Sequence, residues 1–232
     1  TGTVYPFIAS SKPEAYTFNA SKWVGTFDDM TVFTPENKIE QSLASERSGW
    51  KWFSMYVTTD EDNTVASVFT NSSAKLKRVK GKDTNTEYTS GEWYGSLDKF
   101  SLGQTYKLQA GEAFQEVVIG APADPAAVSI SLGANGWSWI GYPLQYATPI
   151  AEAFADADPQ DGDIVMSQSL FATHNGSEWR GSLLPMHPGE GYKYYSVSNT
   201  DKTFHYQKSA ITSRAKAYRN GAANAAEDDI LT

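Results

Sequence analysis

Short runs in which apolar and polar residues alternate recur along the chain, separated by turn signals rich in Gly, Asn, Asp and Ser. Alternation places successive side chains on opposite faces of a strand, as in Ala113–Ile119. Turn signals fall about every ten residues, a spacing typical of antiparallel sandwiches and open barrels. Helical patterns cover only a turn or two, at Pro149–Ala155 and Val65–Phe69. The pattern predicts an all-β protein with short helical turns.

An internal repeat is marked by three motifs that recur in the same order. The motif GWKWFS at Gly49–Ser54 recurs as GWSWIG at Gly136–Gly141, 87 residues later. EWYGSL is answered by EWRGSL, and GQTYK by GEGYK, both 86 residues later. These anchors predict two antiparallel β repeats, at 40–122 and 123–208. A lead-in β segment (1–39) precedes them, and a tail or linker (209–232) follows.

The two repeats are expected to pack as pseudo-symmetric halves of a sandwich or open barrel. A single repeat of roughly 85 residues would leave part of an aromatic-rich face uncovered. Trp50 and Trp52 share one face of a strand, as do Trp137 and Trp139. Because a Trp buries roughly 150–250 Å², we expect these side chains to lie mostly in the core. The alternative is that exposed indole rings stack on the C–H faces of sugars.

Composition excludes several classes of protein. The aromatic content, 7 Trp, 13 Tyr and 11 Phe, favours strands over helices. The net charge of −8 argues against binding of nucleic acid. The chain has no cysteine, which excludes disulfides, thiolate metal sites and a cysteine nucleophile. No apolar run is long enough to predict a transmembrane segment.

A basic run and an acidic run each permit two interpretations. Lys75–Lys82 contains five cations, and as an edge strand its lysines would prevent edge-to-edge pairing. Otherwise it contacts an anionic partner such as an acidic polysaccharide. In the second repeat, Asp156, Asp158, Asp161 and Asp163 form a candidate calcium site, because hard cations favour carboxylate oxygens. Their spacing is not that of an EF-hand, and the alternative is a solvated acidic turn.

Signals for catalysis are few. The three histidines, His174, His187 and His205, lack the spacing of metal ligands, and no G-x-S-x-G, H-E-x-x-H, P-loop or G-x-G-x-x-G motif occurs. Glu178 stands beside a Trp as a glycosidase carboxylate could, but Glu92 has the same place in the first repeat. A shared structural role is therefore favoured, and we expect no enzymatic activity.

A ligand site is expected to use residues that differ between the repeats, since shared residues maintain the shared fold. Tyr194 and Tyr195 replace a Leu-Gln pair of the first repeat and point to opposite faces of a strand, so only one belongs to a core on one side of the sheet. The outward tyrosine is the predicted ligand contact. Arg180 and His174 are the predicted hydrogen-bond donors beside it.

The second repeat combines G-W-x-W (Gly136–Gly141), G-D-I-V-x-S-Q-S-x-F-A (Gly162–Ala172), W-x-G-S-L (Trp179–Leu183) and P-G-x-G-Y-K (Pro188–Lys193). In these motifs it resembles a module of secreted and surface-anchored multidomain proteins of Bacteroidetes. The first repeat is similar but looks like a drifted copy. The resemblance implies an extracellular or cell-surface location, a signal segment before this sequence and further domains. It carries no catalytic residues.

These observations lead to three hypotheses about function. The preferred one is a non-catalytic extracellular module that binds a glycan or a host or matrix protein. The alternatives are a structural spacer that presents neighbouring domains and, less favoured, a glycoside hydrolase. An exposed Trp or Tyr in a concave site with polar neighbours would favour ligand binding over the spacer.

Overall fold

The computed structural model describes residues 38–207 and four short strands before them. These strands are β1 (Phe7–Ala9), β2 (Thr17–Asn19), β3 (Lys22–Val24) and β4 (Thr31–Phe33). β1 pairs with β4 and β2 with β3, both antiparallel. The chain divides into a compact unit up to Asn37 and another from Lys38, near the predicted boundary after residue 39. The predicted tail, 209–232, lies outside the described residues.

The first repeat contains two antiparallel sheets and one short helix. Its elements are β5 (Ile39–Ser45), β6 (Gly49–Ser54), β7 (Val57–Thr58), α1 (Val65–Val68), β8 (Leu76–Lys80), β9 (Asn85–Thr89), β10 (Glu92–Gly95), β11 (Thr105–Ala110) and β12 (Phe114–Pro122). The larger sheet has the order β10-β9-β8-β11-β6, and the smaller one β5-β12-β7. Buried and exposed residues alternate along β12, because only one face of this strand meets the core.

The second repeat has the same larger sheet, but its other strands form two separate pairs. Its elements are β13 (Ile130–Leu132), β14 (Gly136–Ile140), β15 (Thr148–Pro149), α2 (Ile150–Ala153), β16 (Ile164–Met166), β17 (Phe171–His174), β18 (Trp179–Gly181), β19 (Pro185–Met186), β20 (Tyr192–Ser196) and β21 (Lys202–Phe204). The larger sheet has the order β18-β17-β16-β20-β14, while β13 pairs with β21 and β15 with β19. The helices described here are too short to cross a membrane.

The match between the repeats confirms the prediction of an all-β, pseudo-symmetric architecture. β6, β8, β9, β10 and β11 correspond in sheet order to β14, β16, β17, β18 and β20. The register corresponds as well, since Lys107 stands opposite Trp52 and Lys193 opposite Trp139. The architecture is sandwich-like and not a closed barrel.

Each repeat has its own hydrophobic core, so the expectation that the repeats would cover each other's apolar faces is wrong. Phe53, Phe69 and Leu108 belong to the first core, and Phe154 belongs to the second. In each repeat the short helix and strands outside the larger sheet contribute to the same core as the larger sheet. The apolar face is therefore buried within the repeat, and Leu102 packs against both cores.

Hydrogen bonds join the repeats along a line that we call the seam. The Ser54 amide donates to the Gly189 carbonyl at 3.1 Å, and the Gly141 amide donates to the Gly103 carbonyl at 2.9 Å. Ser54 matches Gly141 in the repeat alignment, and Gly103 matches Gly189, so the two bonds are counterparts. The seam therefore follows the pseudo-symmetry of the repeats.

Two hydroxyl groups of the first repeat complete the seam. Ser54 Oγ accepts from the Tyr142 amide at 3.0 Å and donates to the Glu190 carbonyl at 2.7 Å. Thr105 Oγ1 accepts from the Tyr192 amide at 2.7 Å and donates to another carbonyl of the second repeat at 2.6 Å. Each buried hydroxyl thus satisfies two backbone groups of the other repeat, and the seam contains paired polar groups.

Candidate ligand-binding face

The W-x-W pairs lie on the outer faces of the larger sheets, so the prediction that they are mostly buried is wrong. Trp50 is 41% exposed and Trp137 is 40% exposed, while Trp52 and Trp139 are half-buried. The adjacent position of β6 points inward, where Phe53 is 1% exposed. Alternation separates two faces of a strand, but the larger aromatic residues do not always occupy the covered one.

Two of these tryptophans and two lysines on the same outer faces meet where the two larger sheets approach each other. We call Trp52, Trp139, Lys107 and Lys193 the Trp–Lys cluster. Lys107 Nζ lies 4.2 Å from the ring centroid of Trp52 and 4.9 Å from that of Trp139. Lys193 Nζ lies 4.9 Å and 4.5 Å from the same two centroids. Each amine therefore faces both indole rings, an arrangement that attracts cations to the π-electron faces.

The electrostatics of the cluster disfavour the charged form of one lysine. Partial burial, and then the charge and hydrogen bond of Lys107, lower the pKa of Lys193 to about 8. Within residues 38–207 neither lysine forms an ion pair with a carboxylate. The cluster thus brings two amines together without a negative partner from the described part of the chain.

The basic run extends this positive surface. β8 lies between β9 and β11, so the interpretation of the run as an edge strand is wrong. Lys80 of β8 stands directly opposite Lys107 and therefore on the same outer face. In the described residues Lys80 forms no ion pair, whereas Arg78 pairs with Glu87 of β9. Like charges opposite each other destabilise a sheet, so Lys80 and Lys107 need an explanation other than edge protection.

A shallow hollow lies beside Trp50 at one end of this face. It has a volume of about 460 Å³, and its lining includes Trp50, Arg47, Lys51, Gln168 and Glu46. The Gln168 side chain donates to the Trp50 carbonyl at 2.7 Å and so ties the second repeat to the edge of β6. The hollow is a concave site in which an exposed indole has polar neighbours.

The structure separates the predicted ligand residues. Tyr194 is buried in the core at 1% exposure, whereas Tyr195 points outward, which confirms that only one of the pair is core. The Tyr195 ring lies against Trp137 with centroids 5.3 Å apart, at the other end of the face from the hollow. Tyr195 is therefore the member of the predicted set that adjoins the Trp–Lys cluster along β20.

Arg180 and His174 do not join Tyr195. Arg180 is exposed on the same outer face, but it lies on β18, three strand spacings or roughly 14 Å from β20. Its guanidinium pairs with Glu178 at 2.6 Å. His174 points inward and is 7% exposed, with its ring centroid 5.1 Å from that of Trp179. The predicted donors thus belong to other parts of the repeat.

Asp163, one of the predicted calcium ligands, has a structural role. It is 1% exposed. Its Oδ2 accepts from the Tyr194 hydroxyl at 2.6 Å and the Gln160 amide at 2.9 Å, and its Oδ1 accepts from the Val197 amide at 2.8 Å. Burial, and then this carboxylate, raise the pKa of the Tyr194 hydroxyl. Asp163 therefore fixes the loop before β16 to the end of β20.

The other predicted calcium ligands have separate surroundings. Asp156 accepts a hydrogen bond from the His205 amide, Asp158 pairs with Lys202 at 3.2 Å, and Asp161 is exposed. Among residues 38–207 no group of three or more His, Asp or Glu side chains is placed to hold a metal ion. The geometry therefore gives the predicted calcium site no support.

Sequence reasoning missed a cleft in the first repeat. The cleft has a volume of about 560 Å³, and its lining includes Trp93, Tyr88, Ser73, Glu92 and Asp98. Trp93 Nε1 donates to Ser73 Oγ at 3.0 Å, and its ring meets that of Tyr88 edge-on at 5.2 Å. The EWYGSL motif contained the signal, but its recurrence in both repeats directed the interpretation toward a structural role.

Comparison with protein-family models, with curated proteins and with solved structures gave no match for this chain. The expectation of an extracellular setting therefore rests on the motifs of the second repeat alone.

Proposed function

We propose that this chain is a non-catalytic module of a secreted or surface-anchored bacterial protein and that it binds glycans. The site is the outer face that contains Trp50, Trp52, Trp139 and Trp137. The observation that carries this proposal is the 41% exposure of Trp50 within a hollow that has polar walls. Ligand sites combine aromatic surfaces with a few polar groups, and an indole ring offers a flat surface for a pyranose ring.

The composition of the hollow favours binding over hydrolysis. Glycoside hydrolysis by the usual mechanisms needs two carboxyl groups about 5–10 Å apart on either side of the scissile bond. The hollow is lined by one carboxylate, Glu46, with Arg47 and Lys51 beside it. The proposed site therefore holds a saccharide without a catalytic pair.

The proposal is tested on a glycan array and then by calorimetry with the best oligosaccharide, using Trp50→Ala and Trp137→Ala. Each variant should weaken binding by roughly tenfold or more, because each removes a stacking surface. Tyr94→Ala is the matched control, since Tyr94 is 52% exposed on the remote edge strand β10. Folded protein that binds no glycan would instead support the spacer. Tryptophan variants that bind like the control would show that the glycan site lies elsewhere on the protein.

A second candidate function is hydrolysis in the cleft beside Trp93, because two carboxylates, Glu92 and Asp98, line that cleft. Glu92 already accepts a hydrogen bond from the Tyr94 hydroxyl at 2.9 Å. The test is reducing-sugar release from a panel of polysaccharides by the native protein and by Glu92→Gln and Asp98→Asn. Activity that both substitutions abolish would establish the hydrolase, and its absence would reject it.

A further inference from the structure

We infer that the Trp–Lys cluster is an anion subsite that takes the carboxylate or sulfate group of an acidic glycan between Lys107 and Lys193. This inference rests on the proposed glycan site and specifies its ligand class. The two amines supply N–H donors, and the indole rings of Trp52 and Trp139 flank them.

The positive charge of this face is uncompensated by carboxylates within residues 38–207. Lys80, Lys107 and Lys193 follow one another across three strands and the seam, and none forms an ion pair within residues 38–207. The protein has 27 acidic residues against 19 Lys and Arg, so carboxylates are abundant elsewhere in the chain. Partial burial and the neighbouring lysine both disfavour a second ammonium here. A bound oxyanion would reverse that effect, because it favours the charged form of each lysine.

The two amines of the cluster are preorganised for an anion. The Lys107 and Lys193 amines lie over the same two rings, at 4.2–4.9 Å from the centroids, so both are directed toward a common region. The rings belong to paired strands and not to loops, and this restricts their movement. Donors that are already oriented lose less conformational entropy when an anion binds.

The exposed tryptophans beside the cluster favour a glycan as the source of the anion. Trp50 and Trp137 flank the cluster on the same strands, two residues from Trp52 and Trp139, or roughly 7 Å along each strand. An isolated inorganic ion would make no use of the exposed surfaces of these rings. A saccharide with an acidic substituent can contact an indole with its ring and the lysines with its oxyanion.

The experiment compares polygalacturonate fragments, heparin fragments and neutral cello-oligosaccharides by calorimetry. Lys107→Gln and Lys193→Gln are measured beside Lys77→Gln, which replaces an exposed lysine of the basic run Lys75–Lys82 and changes net charge equally. Each cluster variant should lose roughly tenfold or more in affinity for one or both acidic probes. The Lys77 variant should change by less than about twofold, since isolated exposed charges contribute little. Neutral binding should not change.

The two acidic probes identify whether a carboxylate or a sulfate is preferred. Equal affinities of all three lysine variants for acidic probes, or equal binding of acidic and neutral probes, would overturn the inference and leave the glycan site intact. Absence of binding to every probe would overturn both proposals. Sodium sulfate is a further probe: affinity equal to that of heparin fragments would show that the cluster recognises a free anion and would overturn the glycan assignment.

Discussion

Ser54 and Gly141 occupy matching positions in the two repeats, but only Ser54 has room for a side chain at the seam. Ser54 Oγ accepts from the amide next to Gly141, whereas a Cβ on Gly141 would lie 2.4 Å from the Leu102 carbonyl oxygen. Thr105 and Gly191 show the same relationship: a Cβ on Gly191 would lie 2.8 Å from a backbone nitrogen of the first repeat. The seam therefore depends on differences between the repeats.

We expect Gly141→Ala to lower the free energy of unfolding by about 1–3 kcal/mol, because the added methyl group must displace backbone. Gly133→Ala is the matched control, since its Cβ would meet no heavy atom nearer than 3.8 Å. The measurement is chemical denaturation of both variants and the native protein. Equal midpoints for Gly141→Ala and the native protein would contradict the close approach at the seam.

The repeat alignment predicted the strands because equal motifs form equal local structure. Trp52 and Trp139 indeed lie at the same register in matching strands. The alignment could not show which face of β6 is covered, because alternation marks two faces equally. The cover comes from β5, β12 and α1, which reach this face of β6 only through the tertiary fold. The apolar residue that meets them is Phe53 and not the adjacent tryptophans.

The sequence analysis also did not predict the Trp–Lys cluster. Lys107 and Lys193 belong to the recurring motifs GQTYK and GEGYK, and recurrence led to a structural interpretation. Their contact depends on how the two repeats meet at the seam, which local patterns do not determine. The sequence did contain one signal for the cluster. If the strand with the W-x-W motif pairs with the strand that contains the lysine, each lysine stands opposite a tryptophan of its own repeat.

Trp179 and Trp137 should respond differently to truncation. Trp179 is 8% exposed and contacts Phe154 with ring centroids 5.6 Å apart, whereas Trp137 is 40% exposed. We expect Trp179→Ala to cost about 3–5 kcal/mol of stability, because it creates a cavity in the core. Trp137→Ala should cost less than about 1 kcal/mol. Thermal and urea unfolding provide the comparison, and similar losses would mean that the outer face is covered in solution.

Asp163 should contribute to stability without a metal. In Asp163→Asn an NH₂ group must face one of the three donors that the carboxylate now accepts from, so we expect a loss of about 1–3 kcal/mol. Asp161→Asn, at the exposed position, should change stability by less than about 0.5 kcal/mol. The melting temperature should be the same in millimolar calcium and in chelator. A calcium-dependent rise that Asp163→Asn abolishes would restore the calcium prediction.

Lys193 should make the stability of the protein depend on pH in the weakly alkaline range. Its pKa is about 8 in the folded state against 10.5 for an ordinary lysine. Between these values the unfolded chain binds a proton at this position and the folded protein does not. Raising the pH across this interval therefore favours folding, and the cost of the charged amine is complete below about pH 8.

The measurement is the difference in free energy of unfolding between the native protein and Lys193→Met, from about pH 7 to about pH 9.5. The difference should shift in favour of the native protein as the pH rises. The other cations on this face, Lys107 and Lys80, are present in both proteins, as are the tyrosines whose pKa burial raises, including Tyr194. Lys107→Met should weaken the shift, since it removes the charge that helps to lower the pKa of Lys193. A difference that is constant across this range would show that Lys193 keeps an ordinary pKa and that the two amines are not close in solution.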